Sequence, residues 1–487
     1  MNAFPLRDVT QALARAGLLV RADATLPERA AGIADDSRAV APGGLFIAVR
    51  GVAGDGHDYL PQAEARGAAA AIVEQEGRTA LPTIVVREGR RAAAVAAAAA
   101  FAEPARLLRL AAVTGTNGKT TTVGLLRHLL DDRPGPSGSI GTLGVLVGDG
   151  VPLDGGAGLT TPGPVELQRV LRAFVDAHVE RVAMEVSSHS LDQHRVEGLT
   201  FETAIFTNFT RDHLDYHGTM EAYFAAKARL IEQILPNGAA IVNADDEAWQ
   251  ALPPAPRTIT FGLSMSAAVR ASGVRYFARG SEWMLEMAGE RHIVHLPLIG
   301  DFNISNALGA AAAAWQMGLA PSTIAERLEC APQVPGRLEL LHEHPTVLRD
   351  YSHTPDSLER SLDAVRPFAT RRLIVVVGCG GDRDRGKRPI MGEIAGRLAD
   401  LTILTSDNPR TENPERILDE IEAGIGNAPH ERVENRRAAI ARALALADPD
   451  DVILLAGKGH ETYQIRGTTK YPFDEKVIVN ELTSGAE

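Results

Sequence analysis

The sequence predicts an α/β protein of three domains: a smaller N-terminal α/β domain, a central domain built on a parallel sheet, and a C-terminal doubly wound, Rossmann-like domain. Three observations predict this fold class. A chain of 487 residues is too long for one hydrophobic core and suggests about three domains. Apolar strand-like runs alternate with helical patterns in the middle of the chain, which is typical of parallel sheets covered by helices. Near the C-terminus, three apolar runs each lead into a polar loop.

The first segment, residues 1–108, contains short strand-like runs at 45–49 and 83–86 among glycine-rich turns. Its loops at 36–38 and 51–59 are polar and suit a ligand-facing surface, but solvated turns have the same composition, and the residues alone favour turns. The run 92–102 is almost entirely alanine. It falls far short of the ~20 apolar residues of a membrane span, so we interpret it as a packed helix.

The second segment, residues 109–336, opens with a glycine turn between a strand and a helix. Residues 114–121 read Thr-Gly-Thr-Asn-Gly-Lys-Thr-Thr and follow the apolar run 108–113. Glycines let backbone N–H groups curl around phosphate oxygens, and the helix N-terminus adds partial positive charge. Lys119 then reaches the β- and γ-phosphates, and the hydroxyl of Thr120 or Thr121 holds Mg²⁺. The sequence therefore predicts a P-loop mononucleotide-binding domain, although Val113 stands where the usual pattern has glycine.

The rest of this segment continues the alternation of strands and helices. Strands are predicted at 181–186, 204–208 and 239–243, and helices at 220–235 and 301–317. Residues 270–298 are less regular and suggest an antiparallel appendage.

Several polar side chains follow these strands. Glu185 ends a strand beside the predicted phosphate loop, a position suited to Mg²⁺, although a helix-capping carboxylate remains the alternative. His213 lies in the dense polar cluster 211–217 and is open to two interpretations: an unusual ligand of a second Mg²⁺, or a structural histidine. Zinc is not expected, because no cysteine is near. Lys227, among alanines on a predicted helix, looks by itself like a solvated lysine.

The third segment, residues 337–487, has strand candidates at 346–348, 373–377, 401–405 and 452–456. The last three lead into polar loops at 378–388, 406–413 and 457–461. Ligands of open α/β sheets bind at the carboxyl ends of strands, so these loops predict one composite pocket. Arg383 and Arg410 offer guanidinium forks for carboxylates, and Glu461 suits an ammonium. The combination indicates a zwitterionic amino acid.

Composition limits the class of partner. The net charge of −12 argues against nucleic acid or an anionic membrane as the main partner. The two cysteines, Cys330 and Cys379, are far apart in the sequence and lack metal-ligand spacing, which fits a reducing cytoplasm. The first ten residues carry no apolar signal-peptide core. We therefore expect a cytoplasmic protein.

Taken together, the motifs resemble the Mur ligases over essentially the whole chain. The matching motifs are Asp36-Ser37-Arg38, residues 114–121, Thr160-Thr161-Pro162, Glu185-Val186-Ser187-Ser188-His189, Gln193-His194-Arg195, residues 211–217, Ala226-Lys227, Gly300-Asp301-Phe302-Asn303, Asp350-Tyr351-Ser352-His353, and the three loops of the last segment. The phosphate loop alone would identify only the superfamily, which includes the folylpolyglutamate synthetases.

The resemblance implies an ATP-dependent ligase of peptidoglycan precursor synthesis. Such an enzyme converts the terminal carboxylate of UDP-N-acetylmuramoyl-L-alanyl-D-glutamate to an acyl-phosphate, which the amine of an incoming amino acid attacks to give a tetrahedral intermediate. It also implies Mg²⁺ as cofactor and a carbamate, derived from CO₂, on Lys227. A carbamate replaces a cation by an anion that binds Mg²⁺. We expect a monomer.

By resemblance, the catalytic residues are Lys119, Glu185, His213 and Lys227, and the Mg²⁺ ligands are Thr120, Glu185, His213 and carbamylated Lys227. The ATP-binding residues are Gly115, Thr116, Asn117, Gly118, Lys119, Thr120, Thr121, Asn303, Arg337 and Asp350. The residues expected to bind the UDP-linked dipeptide are Asp35, Ser37, Val52, Ala53, Gly54, Thr160, Thr161, Ser187, Gln193 and Arg195. Those expected to bind the amino acid are Arg383, Asp407, Asn408, Pro409, Arg410, Gly457 and Glu461.

The expected amino acid is meso-2,6-diaminopimelate. Its distal carboxylate suits Arg410, and a buried guanidinium would be left unpaired if L-lysine bound instead. The alternatives are the same reaction with L-lysine, a ligase that adds glutamate to folate, and a P-loop switch or motor. A P-loop switch or motor needs no separate amino-acid pocket, so the predicted pocket argues against this alternative.

Overall fold

The computed structural model describes residues 3–51, 54–131, 135–156, 158–277 and 279–484. The chain forms two compact units, Met1–Arg270 with Asn306–Ile324, and Ala271–Ser305 with Ala325–Glu487. Each of the three predicted segments builds a sheet of its own, with helices beside it. The predicted α/β fold class is confirmed. Within the described ranges, no helix combines the length and the apolar composition needed to cross a membrane.

The N-terminal segment forms a five-stranded sheet in the order β2-β7-β6-β5-β4, in which only β2 and β7 are antiparallel neighbours. Its side chains alternate between two faces: Leu45 and Ile47 pack with α1 and α3, and Phe46 packs with α2. The alanine-rich run is confirmed as a packed helix, α3. The elements are β1 Phe4–Pro5, α1 Leu6–Arg15, β2 Leu19–Ala22, β3 Arg29–Ala30, β4 Ile33–Ala34, β5 Leu45–Ile47, α2 Leu60–Ala65, β6 Ala70–Val73, β7 Thr83–Val86 and α3 Gly89–Ala100.

The second segment contributes a mostly parallel sheet to the first unit. Its elements, in chain order, are β8 Arg109–Thr114, α4 Lys119–Leu130, β9 Ser137–Gly141, β10 Gly144–Val147, β11 Val151–Leu153, α5 Pro164–Asp176, β12 Arg181–Glu185, α6 Ser188–Asp192, β13 Phe201–Phe206, α7 Leu214–His217, α8 Met220–Ala228, β14 Ile234–Asn243, β15 Thr258–Gly262, β16 Val269–Phe277, β17 Gly280–Met287, β18 Glu290–Leu296, α9 Asp301–Gln316 and α10 Pro321–Glu329.

The strand order places the predicted chemistry at one edge. In the series β9-β12-β8-β13-β14-β15 all neighbours are parallel, and β10 and β11 extend it as antiparallel strands. Strand β8 therefore lies between β12 and β13. The carboxyl ends of these three strands deliver the phosphate loop, Glu185 and the Thr207-Asn208 pair to the same place.

The helix predicted over residues 220–235 is shorter than expected. Helix α8 ends at Ala228, a 3₁₀ turn covers Arg229–Gln233, and β14 begins at Ile234. Leu235, the residue before Pro236, is disfavoured in the helical conformation, and in the structure it belongs to β14.

In the second unit, β17 and β18 form an antiparallel ribbon, which confirms the predicted antiparallel appendage. The last segment forms a six-stranded sheet in the order β19-β20-β24-β21-β22-β23, with only β19 and β20 antiparallel. Its elements are β19 Glu339–Glu343, β20 Thr346–Asp350, α11 Pro355–Val365, β21 Leu373–Val377, α12 Lys387–Leu398, β22 Leu401–Leu404, α13 Pro414–Ile425, β23 His430–Arg432, α14 Arg436–Leu446, β24 Val452–Ala456, β25 Tyr463–Arg466, β26 Thr469–Pro472 and α15 Glu475–Ser484.

This sheet is covered on both faces, as a doubly wound fold requires. Leu373, Val375 and Val377 of β21 pack with α11, α12 and α13. Ile374 and Val376 of the same strand pack with α14 and α15. A strand buried on both faces is a continuous apolar run, and this is how β21 appears in the sequence.

Candidate functional site

The predicted phosphate loop is held in shape by the residues that follow β13. Thr207 donates its hydroxyl to the Asn117 carbonyl at 2.6 Å. The Asn117 backbone N–H donates to the Asn208 side-chain oxygen at 2.8 Å, and the Thr116 N–H donates to the Asn208 carbonyl at 2.8 Å. Gly115 has a φ of +149° and would drive a Cβ into the Thr207 hydroxyl. Glycine is therefore required at this position for steric reasons.

Two lysines converge on one carbonyl of this loop. Lys119 Nζ donates to the Gly115 carbonyl at 2.9 Å and to the Thr116 carbonyl at 2.7 Å. Lys227 Nζ donates to the Gly115 carbonyl at 2.7 Å. The arrangement brings together two predicted site residues that are over a hundred positions apart in the sequence.

Lys227 is buried, so the interpretation of this residue as a solvated lysine is wrong. Only 1% of it is exposed, and its amine lies 4.5 Å from the centre of the Tyr223 ring. Desolvation, followed by repulsion from Lys119, lowers the pKa of Lys227 well below its ordinary value. The helix pattern could not show this burial, because the loop that covers the amine comes from a distant part of the chain.

Glu185 lies at the end of β12, paired with Val113 of β8, and is 1% exposed. Within the described residues its carboxylate bonds only to Thr142, through the backbone N–H at 2.8 Å and the hydroxyl at 3.2 Å. The cap of the following helix is the Ser187 hydroxyl, so Glu185 is not the helix-capping carboxylate of the alternative interpretation. A buried carboxylate bonded only to neutral donors is suited to a cation.

His213 belongs to a cluster of rings beside this edge. Its ring centre lies 4.7 Å from that of His189 and 6.0 Å from that of Tyr223. Desolvation is the largest effect and lowers the pKa of His213 despite the attraction of Asp212. Desolvation and the neighbouring histidines lower the pKa of His189 to about 4. Both imidazoles are therefore neutral at physiological pH, the state in which histidine binds metals. Among the described residues, no group of three or more His, Cys, Asp or Glu side chains is arranged to hold a metal ion by itself.

The residues predicted for the UDP-linked dipeptide in the second segment form one hydrogen-bonded chain. Arg195 donates to the Thr161 carbonyl at 2.9 Å and to the Gln193 side-chain oxygen at 2.8 Å. The Thr161 hydroxyl donates to the Glu185 carbonyl at 2.9 Å and lies 3.5 Å from the Ser187 hydroxyl. These contacts connect the predicted peptide-binding residues directly to the buried acid.

Two further contacts extend this chain. The Thr160 and Thr142 hydroxyls are 3.3 Å apart, and Thr142 is itself bonded to Glu185. Gln193 donates to the Tyr216 hydroxyl at 3.1 Å, and the Tyr216 ring lies 4.2 Å from that of His189. Thr142, which the sequence analysis did not identify, is therefore the residue that joins Thr160 to the acid.

In the N-terminal segment, Ser37 is buried and donates to the Gln62 side-chain oxygen at 2.7 Å. Asp35 is exposed and lies near Gly163, the residue before α5; desolvation, together with repulsion from Asp36 and Glu166, raises its pKa. The Gly54 carbonyl accepts from the Gly51 N–H at 2.8 Å. Val52 and Ala53 lie outside the described residues.

Asn303, Arg337 and Asp350 belong to the second unit. Asn303 is 1% exposed and donates to the Ile299 carbonyl at 2.8 Å. The Arg337 guanidinium lies 4.8 Å from the centre of the Tyr351 ring. Asp350 accepts from the Leu338 N–H at 2.8 Å and the Ser361 hydroxyl at 2.9 Å, and desolvation raises its pKa although Arg337 acts against this.

The loops after β21 and β22 are interlocked, and Arg410 bridges them. Arg410 Nη1 donates to the Gly381 carbonyl at 2.7 Å, and the Gly381 N–H donates to the Asn408 carbonyl at 2.9 Å. The Arg410 backbone has a φ of +50°, a left-handed conformation uncommon for non-glycine residues. A Cβ on Gly381 would collide with the Pro409 carbonyl. Arg383, on the first of these loops, is exposed and donates to the Asp382 carbonyl at 3.2 Å.

The loop after β24 completes this group. Asn408 donates to Glu461 Oε2 at 2.8 Å. Gly457 has a φ of +115°, and a Cβ there would lie 3.2 Å from Asp407 Oδ2. These contacts therefore join the three loops through Gly381, Asn408 and Glu461.

Arg388 supports these loops from beneath, although the sequence analysis missed it. Its guanidinium is fully buried and bonds to Glu412 at 2.8 and 3.0 Å, to Glu420 at 2.7 Å and to the Gly380 carbonyl at 3.2 Å. Glu412 also accepts from the Asp382 N–H at 2.5 Å. Its only sequence signal is its place in the segment 383–388, which contains three arginines, and spacing does not separate the buried arginine from the exposed ones.

Replacing Glu412 by glutamine is expected to destabilise this region at neutral pH. The hydrogen bonds from Arg388 lower the pKa of Glu412 to about 2 from 4.5. The contribution is fully present above pH 4.5 and is lost as the pH falls towards about 2. Because 23% of the side chain is exposed, solvent screening leaves about 1–2 kcal/mol of the free energy of unfolding.

Thermal unfolding of wild type and Glu412→Gln across this pH range measures the effect. Glu415→Gln, three residues further along the chain and 57% exposed, is the matched control. A difference between wild type and Glu412→Gln that stays constant with pH would contradict the assignment.

Comparison with known proteins shows the family of this chain. Residues 29–112 match the family model "Mur ligase family, catalytic domain", residues 113–314 match "Mur ligase middle domain", and residues 336–459 match "Mur ligase, glutamate ligase domain". The chain is 46% identical to the UDP-N-acetylmuramoyl-L-alanyl-D-glutamate–2,6-diaminopimelate ligase of Synechococcus elongatus, over 91% of this chain and 92% of the relative. It is 44% identical to the protein of the same name from Gloeobacter violaceus, over 99% of each chain.

A solved structure with that enzyme name is also similar. It is 32% identical, covers 96% of this chain and 97% of its own, and superposes with a TM-score of 0.69. The sequence match extends over all three predicted segments, and the fold is shared. The chain belongs to the Mur ligase family, whose members are ATP-dependent ligases that form amide bonds.

Proposed function

We propose that this chain is the ATP-dependent ligase that adds meso-2,6-diaminopimelate to UDP-N-acetylmuramoyl-L-alanyl-D-glutamate in peptidoglycan precursor synthesis. The observation that carries the proposal is the group of loops in the second unit. Arg410 is cationic there, and the carboxylates of Asp407 and Glu461 form an anionic wall. A zwitterionic amino acid with an additional carboxylate matches this arrangement. The names of the full-length relatives support the same substrate.

The reaction requires an activated carboxylate. The terminal carboxylate of the dipeptide attacks the γ-phosphorus of ATP, ADP leaves, and an acyl-phosphate forms. The amine of diaminopimelate then attacks the acyl carbon, loses a proton, and the tetrahedral intermediate collapses with release of phosphate. We assign the binding of the ATP phosphates to the N–H groups of the loop, to Thr121 and to Lys119, which must leave the Gly115 and Thr116 carbonyls to reach them. Asn303, Arg337 and Asp350 are proposed for the remainder of ATP.

Mg²⁺ fits the donor set on the first unit. Glu185 is a buried carboxylate bonded only to neutral donors among the described residues, and oxygen donors are what Mg²⁺ prefers. We propose that Glu185, Thr120, His213 and the modified Lys227 hold the ion. When bound, it neutralises charge that develops on the transferred phosphoryl group.

We further propose that Lys227 carries a carbamate. An amine must be unprotonated to attack CO₂, and burial favours the unprotonated form of this lysine. The attack forms a C–N bond and releases one proton. Lys119 repels the protonated amine of Lys227 and would attract the carbamate anion instead.

For the UDP-linked dipeptide we propose Asp35, Ser37 and residues 52–54 with the chain of polar residues from Thr160 and Thr161 to Ser187, Gln193 and Arg195. The support is the continuous set of hydrogen bonds from Arg195 to the carbonyl of Glu185. For diaminopimelate we propose Arg383, residues 407–410, Gly457 and Glu461. The chemical basis is two guanidinium groups suited to carboxylates and the carboxylate of Glu461 suited to an ammonium.

We also propose domain boundaries at 1–108, 109–336 and 337–487, a monomeric state and a cytoplasmic location. The separate sheets support the first of these proposals. A location where ATP and UDP-linked precursors are available follows from the reaction.

Release of inorganic phosphate tests the proposed function. The protein is incubated with ATP, Mg²⁺ and UDP-N-acetylmuramoyl-L-alanyl-D-glutamate, together with meso-diaminopimelate, L-lysine or no amino acid. A separate reaction supplies a folate acceptor with glutamate. We expect phosphate release only with diaminopimelate, and a product whose mass equals the two substrates less one water.

Each other outcome identifies a rival function. Turnover with L-lysine but not diaminopimelate would assign the lysine-adding reaction, and turnover with folate and glutamate would assign a folylpolyglutamate synthetase. Phosphate release without any acceptor would indicate a nucleotide-driven switch.

A further inference from the structure

Lys458 is a fully buried lysine in the loop after β24, and it is not among the residues proposed to bind the substrates. None of its side chain is exposed. Its Nζ donates to Asn408 Oδ1 at 3.2 Å and to Glu461 Oε2 at 3.0 Å. Burying an ammonium is costly unless it is paired, so this position is maintained by its partners.

The partners of Lys458 are residues proposed to bind diaminopimelate. Asn408 Oδ1 accepts from Lys458 and also from the Ile465 backbone N–H at 2.9 Å. Because the amide oxygen accepts both of these bonds, the amide nitrogen points towards Glu461, and Nδ2 donates to Glu461 Oε2 at 2.8 Å. Lys458 and Asn408 thus hold the same oxygen of Glu461 and orient its carboxylate.

Lys458 also sets the charge of this wall. Its Nζ lies 3.6 Å from Asp407 Oδ1, a buried oxygen without a hydrogen-bond partner among the described residues. One ammonium between two carboxylates leaves a single net negative charge. Such a wall is complementary to one substrate ammonium, whereas two carboxylates without an ammonium between them would repel each other.

We propose that Lys458 is a positioning residue of the amino-acid site, which orients Glu461 and Asn408 and leaves the wall with one net negative charge for the ammonium of the incoming amino acid. This inference rests on the proposed function. Lys458 acts through Glu461 and Asn408 and is not assigned a contact with substrate.

The test compares Michaelis constants for the three substrates in Lys458→Met and Lys458→Gln. Methionine removes the charge and the donor, and glutamine keeps a donor but not the charge. We expect the KM for diaminopimelate to rise about 10-fold or more in Lys458→Met, the effect of losing hydrogen bonds to a charged group. It should rise less in Lys458→Gln, while the KM values for ATP and for the UDP-linked dipeptide stay within about two-fold in both variants.

Lys470→Met is the matched control. Lys470 lies 4.2 Å from the centre of the Tyr463 ring, the same ring that Lys458 approaches at 5.8 Å, but it is exposed. Its removal should leave all three KM values at the wild-type level. Lys458→Arg keeps the charge, and we expect it to recover part of the affinity for diaminopimelate.

Three results would overturn the inference. The first is an unchanged KM for diaminopimelate in a folded Lys458→Met or Lys458→Gln protein, and the second is an equal rise in all three KM values. The third is failure of all Lys458 variants to fold, which would assign the lysine to stability alone. Wild-type protein that does not use diaminopimelate would instead refute the proposed function, and with it this inference.

Discussion

Replacing Lys227 by methionine is expected to lower kcat by about 10²–10³-fold while leaving the folded protein at least as stable as the wild type. The loss of activity follows because the proposed carbamate supplies a negative charge beside the phosphates. The gain or retention of stability follows because Lys227 is 1% exposed, its charged form is disfavoured by burial, and its hydrogen bond goes to the neutral Gly115 carbonyl. Activity should thus fall without a loss of stability.

The stability difference should also depend on pH in a defined direction. The folded protein holds the pKa of Lys227 well below 10.5, so between the folded-state pKa and 10.5 the unfolded chain binds more protons than the folded one. The stability of the wild type therefore rises with pH until about 10.5, and the methionine variant lacks this contribution. The advantage of the variant should shrink as the pH increases.

Thermal unfolding in CO₂-depleted buffers between about pH 7 and pH 10 measures this difference, and phosphate release with added bicarbonate measures activity. Lys476→Met, which removes a lysine that is 55% exposed, is the control for loss of one positive charge. A Lys227→Met protein with near wild-type kcat would exclude the proposed role. An intact-mass increase of one CO₂ in wild type, absent in the variant, would support it directly.

Replacing Arg410 by glycine or alanine is expected to raise the KM for diaminopimelate by about 10²-fold, with little change in the KM for ATP. A guanidinium binds a carboxylate through two parallel hydrogen bonds, and neither replacement can do so. Discrimination against L-lysine should fall at the same time, because lysine has no distal carboxylate and its binding does not depend on the guanidinium. The ratio of kcat/KM for the two amino acids is the decisive measurement.

The two replacements separate the side chain from the backbone. Arg410 has a φ of +50°, which costs alanine about 1 kcal/mol but costs glycine almost nothing. Equal effects of glycine and alanine on KM would assign the loss to the guanidinium. Arg416→Ala, an exposed arginine on α13, controls for net charge. An unchanged KM for diaminopimelate in both Arg410 variants would remove the carboxylate clamp from the proposal.

The sequence predicted those parts of the fold that depend on local pattern. Strand β21 was predicted over its observed range because a strand buried on both faces is a continuous apolar run. The glycine turn before α4 was predicted because phosphate-binding loops need glycine for steric reasons, and Gly115 shows that need against Thr207. Helix α8 was predicted too long because the 3₁₀ turn that follows it, Arg229–Gln233, continues the pattern of buried apolar residues with Leu230 and Ile231.

The candidate site was harder to predict where burial depends on a distant segment. Lys227 has exposed and buried neighbours on α8, and only the loop at Gly115 makes it a buried amine. Lys458 had a usable signal, since it directly follows the apolar strand β24 and a glycine, where an exposed lysine is not expected. Arg388 and Thr142 had none, because each is identified by partners on other elements.

The interlocked loops after β21 and β22 have a consequence for native-state hydrogen exchange. The Gly381 N–H is bonded to Asn408, the Asp382 N–H to Glu412, and Arg410 Nη1 to the Gly381 carbonyl, so neither loop opens without breaking bonds to the other. We expect the amides of Gly381 and Asp382 to exchange at one shared, slow rate, unlike ordinary surface loops, because they belong to one cooperative unit. An amino acid bound at either loop should then protect both to the same extent.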